Sequence, residues 1–124
     1  MEKQKFAEIV IHEIHSKTIS GELKWEDHQR SVSAQPIPAI SVSIYYLDEG
    51  PDTAIWDYAM IGHPVGEDIT MIGNPASPKA HLYGIKAGGQ MLDQLNEIFR
   101  RVLLDPRKAE FEAAIKQLHD VDPQ

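Results

Sequence analysis

No cysteine occurs among the 124 residues of the chain. This absence excludes a disulfide scaffold, a thiol nucleophile, a CxxC redox pair and a cysteine zinc site. None is needed at this length, because a single domain of this size buries about two-thirds of the surface its unfolded chain exposes. Long apolar runs are missing as well. No stretch approaches the roughly 18 residues of a membrane span. The first residues, Met1 to Lys5, lead into an amphipathic stretch and not into an apolar signal core. The chain is therefore expected to be a soluble, cytoplasmic, single α+β domain spanning residues 1–124, with no membrane contact.

Positive charge is also scarce. Twelve Lys and Arg stand against 19 Asp and Glu, for a net charge of −7. The deficit is local. Residues 1–20 balance three bases with three acids, and residues 77–124 balance seven with seven. Residues 21–76 hold only Lys24 and Arg30 against nine acids, which is the whole imbalance. Such a segment repels phosphate backbones and argues against nucleic-acid binding. It attracts a basic partner, although acidic loops also serve solubility alone.

The periodicities place the elements. Phe6, Ala7, Ile9, Val10 and Ile14 recur at helical spacing over residues 3–19, with Gly21 as the stop. Glu8, His12 and His15 fall on the opposite face of this helix. A short strand is expected around Arg30–Ala34. Residues 39–47 alternate strictly, with Ile40, Val42, Ile44 and Tyr46 on one face and Ser41, Ser43 and Tyr45 on the other. After the turn Asp48–Asp52 comes a second strand, residues 53–61. Simple alternation there puts Trp56, Tyr58 and Met60 on the core face and Ile55, Asp57, Ala59 and Ile61 on the other, with Asp57 in water. Met60-Ile-Gly-His-Pro64 is echoed by Met71-Ile-Gly-Asn-Pro75. Each reads as a strand ending in a turn, and in a meander the two turns lie at opposite ends of the sheet. Residues 80–85 are expected to add a last short strand.

Gly88-Gly89 precedes a helix over 90–104 with a broad apolar stripe. Asp105-Pro106 reads as its end and as the N-cap and first position of another helix, 106–119. The expected architecture is an N-terminal helix, an antiparallel sheet of about four or five strands, and two C-terminal helices packed on the sheet. Helix 90–104 is the best cover for the Ile40/Val42/Ile44 face. The first helix or a second subunit would then cover the other, which makes a homodimer the default.

No catalytic motif is present, and the chain is read as a non-enzyme without cofactor. His-Glu-Ile-His at 12–15 lacks the four-residue histidine spacing of HExxH, and its stripe is read as a polar helix face rather than a metal site. The leading expectation is a small acidic binding protein of the inhibitor, immunity, chaperone or adaptor kind. It would engage a basic protein partner through Tyr45, Asp48, Glu49, Asp52, Asp57, Glu67 and Asp68. The alternative is a binder of phosphate or nucleotide at the start of the helix after Gly84–Gln90, using Lys86, Gly88 and Gly89, since backbone N–H groups there can hold an anion. Trp25 is read as an anchor, either of its own loop or of an interface.

Overall fold

The structure is a computed structural model that describes residues 2–50, 53–62 and 69–121. Helix α1 runs over Lys3–Ser20 and buries Ala7, Val10, Ile11 and Ile14. It stops at Gly21, whose left-handed backbone (φ 80°, ψ 4°) lets its N–H reach the Thr18 carbonyl. The expected apolar face needs one correction. Ile9 is 49% exposed and Ile11 takes the buried place. At 100° per residue Ile11 lies about 40° from Ala7 around the helix, and Ile9 about 200°.

Six strands follow: β1 Glu26–Asp27, β2 Ser31–Ile37, β3 Ile40–Leu47, β4 Ile55–Gly62, β5 Ile69–Gly73 and β6 Ile85–Lys86. They lie in one sheet in chain order. All pairs are antiparallel except β5 with β6, which are parallel. The strand count exceeds the expected four or five because β1 and β6 are two-residue edges, too short to leave a periodicity. The stretch 80–85 is only partly a strand, since Ala80–Leu82 forms a 3-10 turn before β6. The two Met-Ile-Gly segments lie on paired antiparallel strands, with Met60 opposite Met71 in the β4–β5 ladder.

Helix α2 covers Gly89–Phe99. Together α1 and α2 close one face of the sheet, packing Ile11, Ile14, Leu95 and Ile98 against Val32, Val42, Ile44, Trp56, Ile61 and Ile72. Both helices run in the same direction, for His12 meets Gln94 and His15 meets Glu97. Burying an apolar side chain of this size stabilises by about 1.5–3 kcal/mol each, so this single layer carries the fold. Trp25 ties the β1 end to it, its indole N–H donating to Thr18 Oγ1 at 3.0 Å. That makes Trp25 an anchor of its own loop.

The decisive local event is in β4. Tyr45 pairs with Tyr58 but Tyr46 pairs with Trp56, so Asp57 is an extra residue, a β-bulge. The bulge resets the alternation. Trp56, Ala59 and Ile61 all face the core, while Tyr58 and Met60 are only half-buried on the opposite side. The expected face assignment is therefore corrected for Tyr58, Met60, Ala59 and Ile61. Asp57 is not in water either, being 8% exposed. Segment 74–77 supplies the bonds that the bulge disrupts. The Asn74 side-chain amide donates to the Trp56 carbonyl at 2.7 Å, and the Asn74 N–H donates to the Asp57 carbonyl at 3.0 Å. Ser77 donates its hydroxyl to the Asp57 carboxyl.

The C-terminal helices also depart from expectation. Asp105 does not cap a new helix, since its backbone is helical (φ −61°, ψ −46°). Residues Arg100–Leu104 form a π-helical turn, with the Asp105 N–H bonded to the Arg100 carbonyl, and α3 continues directly over Asp105–Val121. Proline in a helix lacks an N–H and crowds the carbonyl four residues back. The wider π turn just before Pro106 absorbs both defects. Arg100 also grips Asp105 across the turn at 2.7 Å. As a result α3 is not packed on the sheet as expected: residues 108–120 are all exposed.

Replacing Asn74 with Ala leaves the Trp56 carbonyl without its partner. Because an orphaned buried acceptor costs about 1–3 kcal/mol, N74A is expected to lower the unfolding free energy by that amount, read as a lower urea midpoint with an unchanged slope.

Candidate functional site

Among the described residues, α1 and α2 both lie on one face of the sheet. Its other face carries Ser31 and Ser33 of β2, Ser41, Ser43 and Tyr45 of β3, Tyr58 and Met60 of β4, and Met71 of β5, all half-buried or exposed. β-Strand alternation puts them there, shifted in β4 by the bulge. Three tyrosines stack across the strands. Tyr45 and Tyr58 have ring centroids 4.6 Å apart at 16°, and Tyr58 and Tyr83 4.8 Å apart at 30°. Such pairs are worth about 0.5–1.5 kcal/mol each beyond their burial, so the row is preorganised. Gly73 permits it. A Cβ there would lie 2.8 Å from Tyr83 Cδ2 and 3.2 Å from the Ala80 carbonyl oxygen, so any other residue would displace the third ring. A shallow depression of about 590 Å³ adjoins the serine rows and is lined by Ser33, Gln35, Ser41 and Ser43 with Lys24 and Glu26.

The tyrosines sit in an environment that favours the neutral phenol. Burial raises the Tyr58 hydroxyl above its ordinary 10.0, with Tyr45 and Asp57 adding to it. Burial raises Tyr83 as well, helped by Asp57 and Tyr58. Tyr46, on the core side, is raised by burial against the pull of Arg107, whose guanidinium lies 5.0 Å from the ring centre.

The residues expected to bind a basic partner are only partly gathered. Tyr45 lies in the tyrosine row, half-buried. Asp48 is exposed but paired with Arg107 of α3 at 2.8 Å. Glu49 is exposed. Asp57 is buried against Ser77 and presents no charge to the surface. Asp52, Glu67 and Asp68, like His63 of the first echo, lie outside the described residues. Exposed Glu26 and Asp27 of β1 stand at the sheet edge next to the serine rows. Sequence reasoning missed Tyr58, Tyr83 and Met71 as members of this face. The available signal was Gly73, a strand glycine four residues after Ile69, which marks a close approach of another group.

The alternative anion site is not assembled. Lys86 is exposed in β6, and Gly88 is exposed at the start of α2. Gly88 lines a shallow groove of about 540 Å³ with Lys5, Glu8, His12, Glu13 and Gln94, from which Lys86 is absent. Gly89 has φ 53°, which makes it a turn glycine at the helix start. The Glu8, His12 and His15 stripe is exposed at Glu8 and His12, as expected, and half-buried at His15. His12 Nδ1 lies 2.9 Å from Gln94 Nε2, and His15 Nε2 lies 2.7 Å from Glu97 Oε1, so both join the α1–α2 seam. The His15 hydrogen bond, with Arg101 and Arg100, holds the Glu97 carboxyl below the usual glutamate range despite its partial burial. Among the described residues no three His, Cys, Asp or Glu side chains gather as metal ligands, and no helix is long and apolar enough to cross a membrane.

Comparison with protein-family models, curated proteins and solved structures finds no match to this chain.

Alkaline titration followed at the phenolate absorbance should show Tyr46, Tyr58 and Tyr83 ionising above 10.0 in the folded protein. Their folded-state values exceed the unfolded one, so their contribution to stability is complete below about pH 10 and is lost as the pH rises through the folded values. Unfolding midpoints measured from pH 8 to 11 should fall only above pH 10.

Proposed function

We propose that this protein is a non-enzymatic binding protein whose open sheet face receives a protein partner with a basic surface. The observation that carries the reading is the tyrosine row Tyr45–Tyr58–Tyr83, with Met60 and Met71 beside it, on a sheet face that the core helices leave free. Tyrosine and methionine are enriched where proteins bind one another. A preordered row also spares the partner the entropy of fixing those rings.

The basic character of the partner rests on the excess of seven acids in residues 21–76, the segment that contains β1 to β4. Exposed Glu22, Glu26, Asp27 and Glu49 are the described acids of this segment that face solvent without an ion pair to α3. They would steer the encounter, while the tyrosines would hold the complex. The non-enzymatic reading is supported by the hydrogen bonds that engage the buried or seam titratable groups: Asp57 with Ser77, His15 with Glu97 and His12 with Gln94. Location in the cytoplasm and a homodimer complete the proposal, with the dimer contact moved off the sheet, since Ala59 and Ile61 are already covered by the helices.

A photo-crosslinking residue at Ser43 should capture a basic protein in the native host. Met60→Lys or Met71→Lys should abolish the capture. With the captured protein purified, Tyr58→Ala should weaken binding about thirtyfold, the equivalent of a 2 kcal/mol hot spot, and affinity should fall between low and physiological ionic strength. Capture that survives both lysine variants, or affinity indifferent to salt, contradicts the proposal.

A further inference from the structure

Helix α3 is gripped by the body at one residue near its start. From 105 to 120 every described residue is exposed except Arg107. Three contacts converge on that guanidinium. It donates to Asp48 Oδ1 at 2.8 Å and to the Tyr46 hydroxyl at 3.0 Å. It also lies over the Tyr46 ring, 5.0 Å from its centre. Tyr46 is packed in the core, so Arg107 holds α3 to a fixed point of the body.

Just before this contact the helix is at its softest. An α-helix resists bending through its ladder of bonds from each N–H to the carbonyl four residues back. Between Arg100 and Pro106 that ladder is interrupted twice. The Asp105 N–H reaches back five residues, to the Arg100 carbonyl. Pro106 has no N–H to give to Val102. Sharp bends in helices fall at prolines and at π turns, and here the two adjoin. The near side of the interruption is anchored, for Leu103 is buried in the core. The Arg100–Asp105 ion pair spans the gap at 2.7 Å between half-exposed side chains, a brace that water and salt weaken.

We infer that the π turn is a hinge and that Arg107 is its latch. While the latch is closed, α3 points in one direction. When the guanidinium leaves Asp48 and Tyr46, α3 swings about residues 103–106 as an intact rod. Two features make the latch releasable. The Asp48 side chain is 52% exposed, so water can take the place of the guanidinium. The Tyr46 hydroxyl keeps the carbonyls of His28 and Gln29 at 3.4 and 3.5 Å, so release strands no buried donor. The lever is long. From Arg107 to Val121 the helix runs about 21 Å, and a tilt of about 30° carries its far end about 10 Å. The latch thus decides where the exposed residues of α3 point, without any change in the core.

The test is the distance distribution between two spin labels on the full chain, measured by double electron–electron resonance. The absence of cysteine lets both labels be placed freely. Lys116→Cys puts one on α3. Glu13→Cys on α1, or Lys79→Cys before the 3-10 turn, puts the other on the body, and all three positions are exposed. With the latch intact the distribution should be narrow. Arg107→Ala and Asp48→Ala should each broaden it, on the scale of the roughly 10 Å excursion of the lever. Helical circular dichroism should stay at its starting value in both, because the rod moves without melting. Adding Pro106→Ala to Arg107→Ala supplies the missing N–H and should narrow the distribution again. A distribution already broad with Arg107 and Asp48 in place, or one that stays narrow in both variants, overturns the latch. Broadening with loss of helical signal, or breadth that Pro106→Ala leaves unchanged, overturns the hinge.

Discussion

The bulge at Asp57, fastened by Asn74 and Ser77, is the constraint on which the two faces of this sheet depend. Without the extra residue, β4 would present Trp56 and Tyr58 to the same side and send Ala59 and Ile61 to the other. With it, Trp56 stays in the core, where its indole N–H reaches Asn96 of α2 at 2.8 Å, and Tyr58 crosses to the open face to meet Tyr45 and Tyr83. One inserted residue therefore both seats the helix layer and builds the tyrosine row. Each polar group this displaces is answered from segment 74–77: the Trp56 carbonyl, the Asp57 carbonyl and the Asp57 carboxyl. Buried polar groups are tolerated only when so paired.

Features whose causes are local were legible in the sequence. The end of α1 was carried by Gly21, the pattern of β3 by strict alternation, and the α+β class by the order of elements. The face of β4 was not legible, because its cause lies 17 to 20 residues away in Asn74 and Ser77. Reading alternation without a bulge predicts a solvated Asp57, and the same reading inverts Tyr58 and Ile61. Asp105-Pro106 misled for a different reason. The pair has the chemistry of a helix start, but the π turn before it accommodates proline inside a continuous helix, and no residue type announces a π turn. Of the acids proposed from sequence, the structure withdraws Asp57 and ties Asp48 to α3. The charge argument that survives is one of the segment as a whole and not of a chosen set.

The sheet has α1 and α2 on one side and the tyrosine row on the other. Arg107 links α3 to Asp48, just after β3, and to the Tyr46 hydroxyl.

The connectivity also sets an order of assembly. Every strand pairs with its neighbour in the chain, and the antiparallel pairs from β1 to β5 form locally with little loop entropy to overcome. The α1–α2 seam is the opposite case, for its hydrogen bonds join residues 82 positions apart. A ribosome delivers α1 first and α2 after all six strands. During that interval the buried face of the first helix, Ala7, Val10, Ile11 and Ile14, has no second helix to lie against. That face is fully enclosed only when α2 joins the layer, so the long-range seam completes a core whose strand pairs are local.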